Sequence, residues 1–134
     1  MKTPLMLALS LSLLSPVLRA HGDHKHEEAI EAPPRGGVLR DAPPFKSEIL
    51  VNGDDVTLYV YDKDLKPILL DAPSLKGEVQ FPRQKRKPVV FKREGDAYKA
   101  RISGISKVHR YDLHVTIENG GVEAMADFGI DNIH

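Results

Sequence analysis

The sequence predicts an all-β chain, an antiparallel sandwich of about seven or eight short strands preceded by a flexible His-rich tail. Three observations carry this. Apolar residues in the body alternate with polar ones at a period of two, and helical spacing is missing throughout. Turn signals such as Pro43-Pro44, Asn52-Gly53 and Asn119-Gly120-Gly121 recur at short intervals. The stretch from His21 to about Pro34 is charged and poor in large apolar side chains, so it cannot bury enough surface to offset its chain entropy.

Residues 1–20 read as a signal peptide. Lys2 supplies the basic start, Leu5 to Leu14 the apolar run, Ser15-Pro16 the break and Ala20 the small residue before the cut. Such a run is shorter than the roughly 20 residues a membrane-spanning helix needs. Export to the periplasm with cleavage after Ala20 is therefore expected, although Leu18 and Arg19 are unusual so close to a cleavage site. Residues 21–35 form the tail, and Pro33-Pro34 stiffens its junction with the body, residues 36–134.

Within the body, residues 38–41 make a first strand, stopped by Pro43-Pro44. Phe45, Ser47, Ile49 and Val51 share one face of the next, which ends at the hairpin signal Asn52-Gly53. Val56, Leu58 and Val60 alternate with Thr57, Tyr59 and Tyr61, and Asp62-Lys63-Asp64 with Pro67 makes the following turn. Further strands are expected at 75–81, 88–93 and 97–102. Tyr111, Leu113, Val115 and Ile117 line one face of a long strand, and the Asn119-Gly120-Gly121 turn leads into a last one at 122–128. Tyr111-x-Leu113-x-Val115 resembles a tyrosine corner, in which a phenol fastens a Greek-key crossover, so the sandwich is expected to be immunoglobulin-like. A small barrel is the alternative.

Composition bounds the function. At 134 residues the chain holds one small domain. Loss of Lys2 and Arg19 with the leader leaves about two more acidic than basic residues, which does not favour nucleic acid. There is no cysteine, which removes disulfides, thiolate metal sites and cysteine nucleophiles. After the leader no apolar run is long enough for a transmembrane segment. The serines Ser47, Ser74, Ser103 and Ser106 lie in no nucleophile-elbow context, and no phosphate-cradling loop is present. An enzyme is not expected.

The tail carries the chemistry. His21, His24 and His26 are imidazole donors, with Asp23 or Glu28 to complete a shell, and cleavage after Ala20 would add the α-amine of His21. Nitrogen and oxygen donors without thiolate suit copper(II), zinc or nickel(II) and not copper(I). A tail that must be ordered on binding exchanges its ion readily. The competing reading is a solvated linker with incidental histidines. His109 and His114 read as edge or surface histidines and His134 as part of a chain end. Arg83-Gln84-Lys85-Arg86-Lys87 reads as a solvated hairpin tip, with an anionic lipid, glycan or acidic protein surface as its functional alternative. Asp62, Asp64 and Asp71 lack calcium-loop spacing.

Arg35-Gly36-Gly37-Val38-Leu39, together with Leu58-Tyr59-Val60-Tyr61-Asp62-Lys63-Asp64-Leu65-Lys66-Pro67-Ile68, resembles a group of small exported bacterial proteins. The same pattern is similar to the amino-terminal β-domain of periplasmic adaptor subunits of heavy-metal efflux pumps. The resemblance runs from Ala20 to Ile68. It implies a periplasmic address, a β-sandwich, and a link to metal resistance or delivery with efflux machinery or another envelope protein as partner. Arg35 stands where the group often has histidine, and the long hairpin and membrane-fusion parts of an adaptor are absent, so the chain is not itself expected to be an adaptor. The alternative class is a non-metal envelope interaction module.

Overall fold

The computed structural model describes residues 31–70 and 74–132. From Ala32 onward they belong to one compact unit. The strands are β1 (Val38–Ala42), β2 (Phe45–Asn52), β3 (Asp55–Tyr61), β4 (Leu75–Gln80), β5 (Lys87–Val89), β6 (Lys92–Glu94), β7 (Ala97–Arg101), β8 (Arg110–Asn119) and β9 (Val122–Asp131), with a 3-10 turn at Ile105–Lys107.

They form two antiparallel sheets, one of order β1-β2-β3-β7-β6 and one of order β5-β4-β8-β9. With β2 as the first strand of the immunoglobulin scheme, β2-β3-β7-β6 is its A-B-E-D sheet. β4-β8-β9 is then its C-F-G sheet, and β5 lies beside C. The architecture is the expected immunoglobulin-like sandwich.

Alternation decides which side chains go inside. Val56, Leu58 and Val60 of β3 face Leu113, Val115 and Ile117 of β8 through a core completed by Tyr98, Phe91 and Phe128, all of them buried. The Asn52-to-Asp55 hairpin turns through Gly53 at φ 61°, the left-handed geometry that asparagine-glycine turns supply. The Asp62 turn closes on itself. Its Oδ1 accepts the amides of Asp64 (2.8 Å) and Lys66 (3.0 Å), and its own amide donates to the Lys66 carbonyl. That carboxylate is a turn-former.

Two expectations need correction. Residues 88–93 are not one strand: β5 pairs with β4 in one sheet and β6 with β7 in the other. Val89 and Phe91 both reach the core while Val90 between them is 78% exposed, so the chain keeps its alternation while it changes sheets. Tyr111 is buried at the start of β8, but its hydroxyl has no partner among the described residues. The phenol that fastens a crossover is Tyr98 on β7. Its hydroxyl accepts the Leu70 amide at 2.6 Å and donates to the Ile68 carbonyl at 3.2 Å, holding the β3–β4 connection.

At the opposite end Asp54 accepts the Ser106 hydroxyl (2.8 Å) and the amides of Ser106 and Gly104, which ties the β2–β3 hairpin to the 3-10 turn. These hydrogen bonds, the Ser106 hydroxyl first, hold its carboxyl below the ordinary aspartate value.

The two phenols are expected to respond oppositely to loss of the hydroxyl. Tyr98→Phe strands the buried Leu70 amide and should cost about 1–3 kcal/mol. Tyr111→Phe removes an unpaired hydroxyl and should be neutral or stabilising. Chemical denaturation of the two variants reads the difference. Equal destabilisation would contradict the assignment.

Candidate functional site

The ligands expected from the sequence, His21, Asp23, His24, His26 and Glu28, lie outside the described residues, as do residues 1–20, Asp71 and His134. The structure does describe where the chain enters the sandwich. It does so through a feature that alternation alone does not reveal.

Glu48 lies on the outward face of β2, opposite Tyr59 of β3, yet it is fully buried. Residues 33–37 fold over it. The Gly36 amide donates to the Pro33 carbonyl, Gly36 takes φ 75°, and the amides on either side of it, those of Arg35 and Gly37, point at one carboxylate. The Gly37 amide donates to Oε2 at 2.7 Å and the Arg35 amide to both oxygens at 3.1 Å. From below, the Tyr61 hydroxyl donates to Oε1 at 2.7 Å. A side chain at Gly37 would collide with the Ile49 carbonyl, so only glycine lets this strap lie so close.

Arg35, the last residue of the segment read as tail, continues across the sheet. Its guanidinium lies 4.4 Å above the Tyr59 ring and pairs with Asp96 at 2.9 Å in the β6–β7 turn. Tyr59 and Tyr61, two apart on the same face, stack with centroids 6.3 Å apart. Burial, and after it the hydrogen bond and charge of Glu48, push the Tyr61 phenol well above the ordinary tyrosine value. Burial alone pushes Tyr111 up to about 12.

The remaining expected positions are placed as follows. His114 points outward from β8, as alternation requires. Its Nδ1 lies 2.6 Å from Asp127 Oδ1 on β9, and its Nε2 is buried without a partner among the described residues. His109 is exposed just before β8. The 83–87 run is the exposed β4–β5 hairpin tip, with Lys87 Nζ 5.4 Å from the centre of the Phe81 ring. Among the described residues no three His, Asp or Glu side chains gather as a group that could hold a metal ion. No described helix is long and apolar enough to cross a membrane.

Sequence reasoning missed Glu48. A glutamate alternating with Ser47 and Ile49 reads as solvated. Its one sequence signal is Arg35-Gly36-Gly37, whose glycines need a reason to be adjacent.

No family model, characterised protein or solved structure matches the chain.

Two outcomes are expected. Glu48→Ala leaves a buried phenol and two amides without their acceptor and should cost about 2–4 kcal/mol. Tyr61→Phe, which keeps the ring, should cost about 1–3 kcal/mol. Denaturant titration of both checks this, and a change near zero for Glu48→Ala would contradict the cradle. Tyr61 and Tyr111 hold their protons more tightly folded than unfolded, so stability is full below the ordinary phenol value of about 10 and falls as pH rises past it. In a spectrophotometric titration those two phenols should ionise only as tertiary structure is lost. Free titration of all the tyrosines with near-UV dichroism intact would contradict this.

Proposed function

We propose that this is an exported, periplasmic metal-handling protein. Its amino-terminal segment captures a divalent transition ion through His21, His24 and His26, with Asp23 or Glu28 completing the shell. The sandwich serves as its carrier. The observation that supports the reading most is compositional: three imidazoles and several carboxylates fall within eight residues directly after a leader-like stretch. Nothing in the chain offers thiolate, so copper(II), zinc and nickel(II) are the ions in question.

The geometry at Arg35 adds a physical reason for the arrangement. The strap over Glu48 begins the sandwich two residues after Pro33. A donor-rich segment joined there is covalently tied to a fixed point while its own residues meet the ion. A segment whose composition predicts flexibility would have to order at each capture, which favours exchange over storage. That suits buffering or hand-over to a partner such as efflux machinery, the connection implied by the resemblance of residues 20–68.

Calorimetric titration of the chain beginning at His21 with zinc and copper(II) tests the proposal. A partner lacking residues 21–28 and a His21→Ala/His24→Ala/His26→Ala variant serve as controls. Stoichiometric binding should be lost in both. It should also weaken as pH falls through about 6.5, where imidazoles protonate. Affinity no better than that of a generic histidine-containing peptide would refute it and favour an envelope interaction module with incidental histidines.

A further inference from the structure

The β5–β6 side of the sandwich and the outward face of β8 and β9 carry opposite charge. From Val79 to Arg93 the chain contains Arg83, Lys85, Arg86, Lys87, Lys92 and Arg93 and no acidic residue. All six are exposed, and none makes an ion pair among the described residues. Beside them, at the β5 edge, a groove of about 440 Å³ is walled by Leu75, Val89, Val90 and Phe91 with the bases Lys76 and Arg86 and one acid, Glu78. The exposed Val90 is an apolar contact within a basic strip.

The opposite edge is its complement. On the outward face of β8 and β9 lie Asp112, Glu118, Glu123, Asp127 and Asp131. The basic groups there are Arg110, 3.8 Å from Asp131, and His114, against Asp127. Between Glu123 and Asp127, on the same face of β9, Met125 is 58% exposed, and Val122 nearby is 43% exposed. An acid, an apolar side chain and an acid thus project from one strand at a spacing of two.

We propose that these two edges are halves of one contact, in which the β5–β6 strip of one molecule receives the β8–β9 face of a second copy. Met125 meets the groove at Val90, and Glu123 and Asp127 face Arg86 and Lys87. The chain's own acidic face supplies the opposite charge together with an exposed apolar residue, Met125, to match Val90, which favours a second copy over another anionic occupant. β5 is three residues long and contains Pro88, so a backbone ladder at that edge is blunted. The contact is made by side chains and is screened by salt. Because two different patches meet, it runs head to tail and does not close on a dimer by itself.

Sedimentation of the whole chain, with a chelator present so that metal bridging contributes nothing, tests this. Average mass should rise with concentration at low ionic strength and fall to that of the monomer at high salt. Glu123→Lys/Asp127→Lys and Arg86→Glu/Lys87→Glu, all at exposed positions, should each remain monomeric alone. Mixed in equal amounts, they should associate, since one then offers two basic edges and the other two acidic ones. A wild-type chain monomeric under every condition overturns the proposal, as does a mixture that fails to associate. A wild-type monomer that binds vesicles containing anionic lipid also overturns it and assigns the strip to a membrane surface. None of these outcomes depends on the metal titration.

Discussion

The buried carboxylate of Glu48 is the constraint from which the amino-terminal half of the sandwich follows. An unpaired ion taken out of water costs several kcal/mol. Here two backbone amides and a phenol converge on its two oxygens. Their arrival dictates the rest. Gly36 must turn left-handed, Gly37 must lack a side chain, and Tyr61 must lie beneath the carboxylate. Directly after the strap, Val38 pairs with Ile49 and β1 begins. Residues 33–37 thereby cover Glu48 on the outward face of the five-stranded sheet, with the Arg35 guanidinium spread over Tyr59 to Asp96.

The same device recurs at the other connections, with different chemistry. Tyr98 holds the β3–β4 crossover through Leu70 and Ile68, and Asp54 holds the β7–β8 connection through Gly104 and Ser106. Each is a side chain on a regular strand or hairpin that satisfies backbone groups of an irregular segment. Irregular chain passing between sheets has backbone donors and acceptors that no ladder supplies. A chain without cysteine meets that need with polar side chains and core packing.

Most of the fold was legible because alternation and turn chemistry are local. The β2–β3 and β8–β9 hairpins follow from Asn52-Gly53 and Asn119-Gly120, and the buried faces of β3 and β8 follow from period-two spacing. What was not legible is tertiary. Val89, Val90 and Phe91 alternate as an uninterrupted strand would, and only the pairing shows that the sheet changes there. Tyr111 has the position of a corner tyrosine, but the backbone groups needing a partner, the Ile68 carbonyl and the Leu70 amide, lie beside Tyr98. Glu48 is buried because a segment distant in sequence covers it. The donor-rich residues His21 to Glu28 were legible as chemistry. Their ligation is a matter for the titration and lies outside the described residues.

The core fills the space between the two sheets, polar side chains fasten the irregular connections, and the strap covers Glu48 just before β1. All of this rests on the strap being closed, and amide hydrogen exchange at Gly37 reads that state directly. If Glu48 holds the strap, the Gly37 and Arg35 amides exchange as slowly as those of the β2–β3 ladder and open only when that ladder opens. Exchange at the rate of an unstructured peptide, with the ladder still protected, would show the carboxylate is not holding the chain and would contradict the claim.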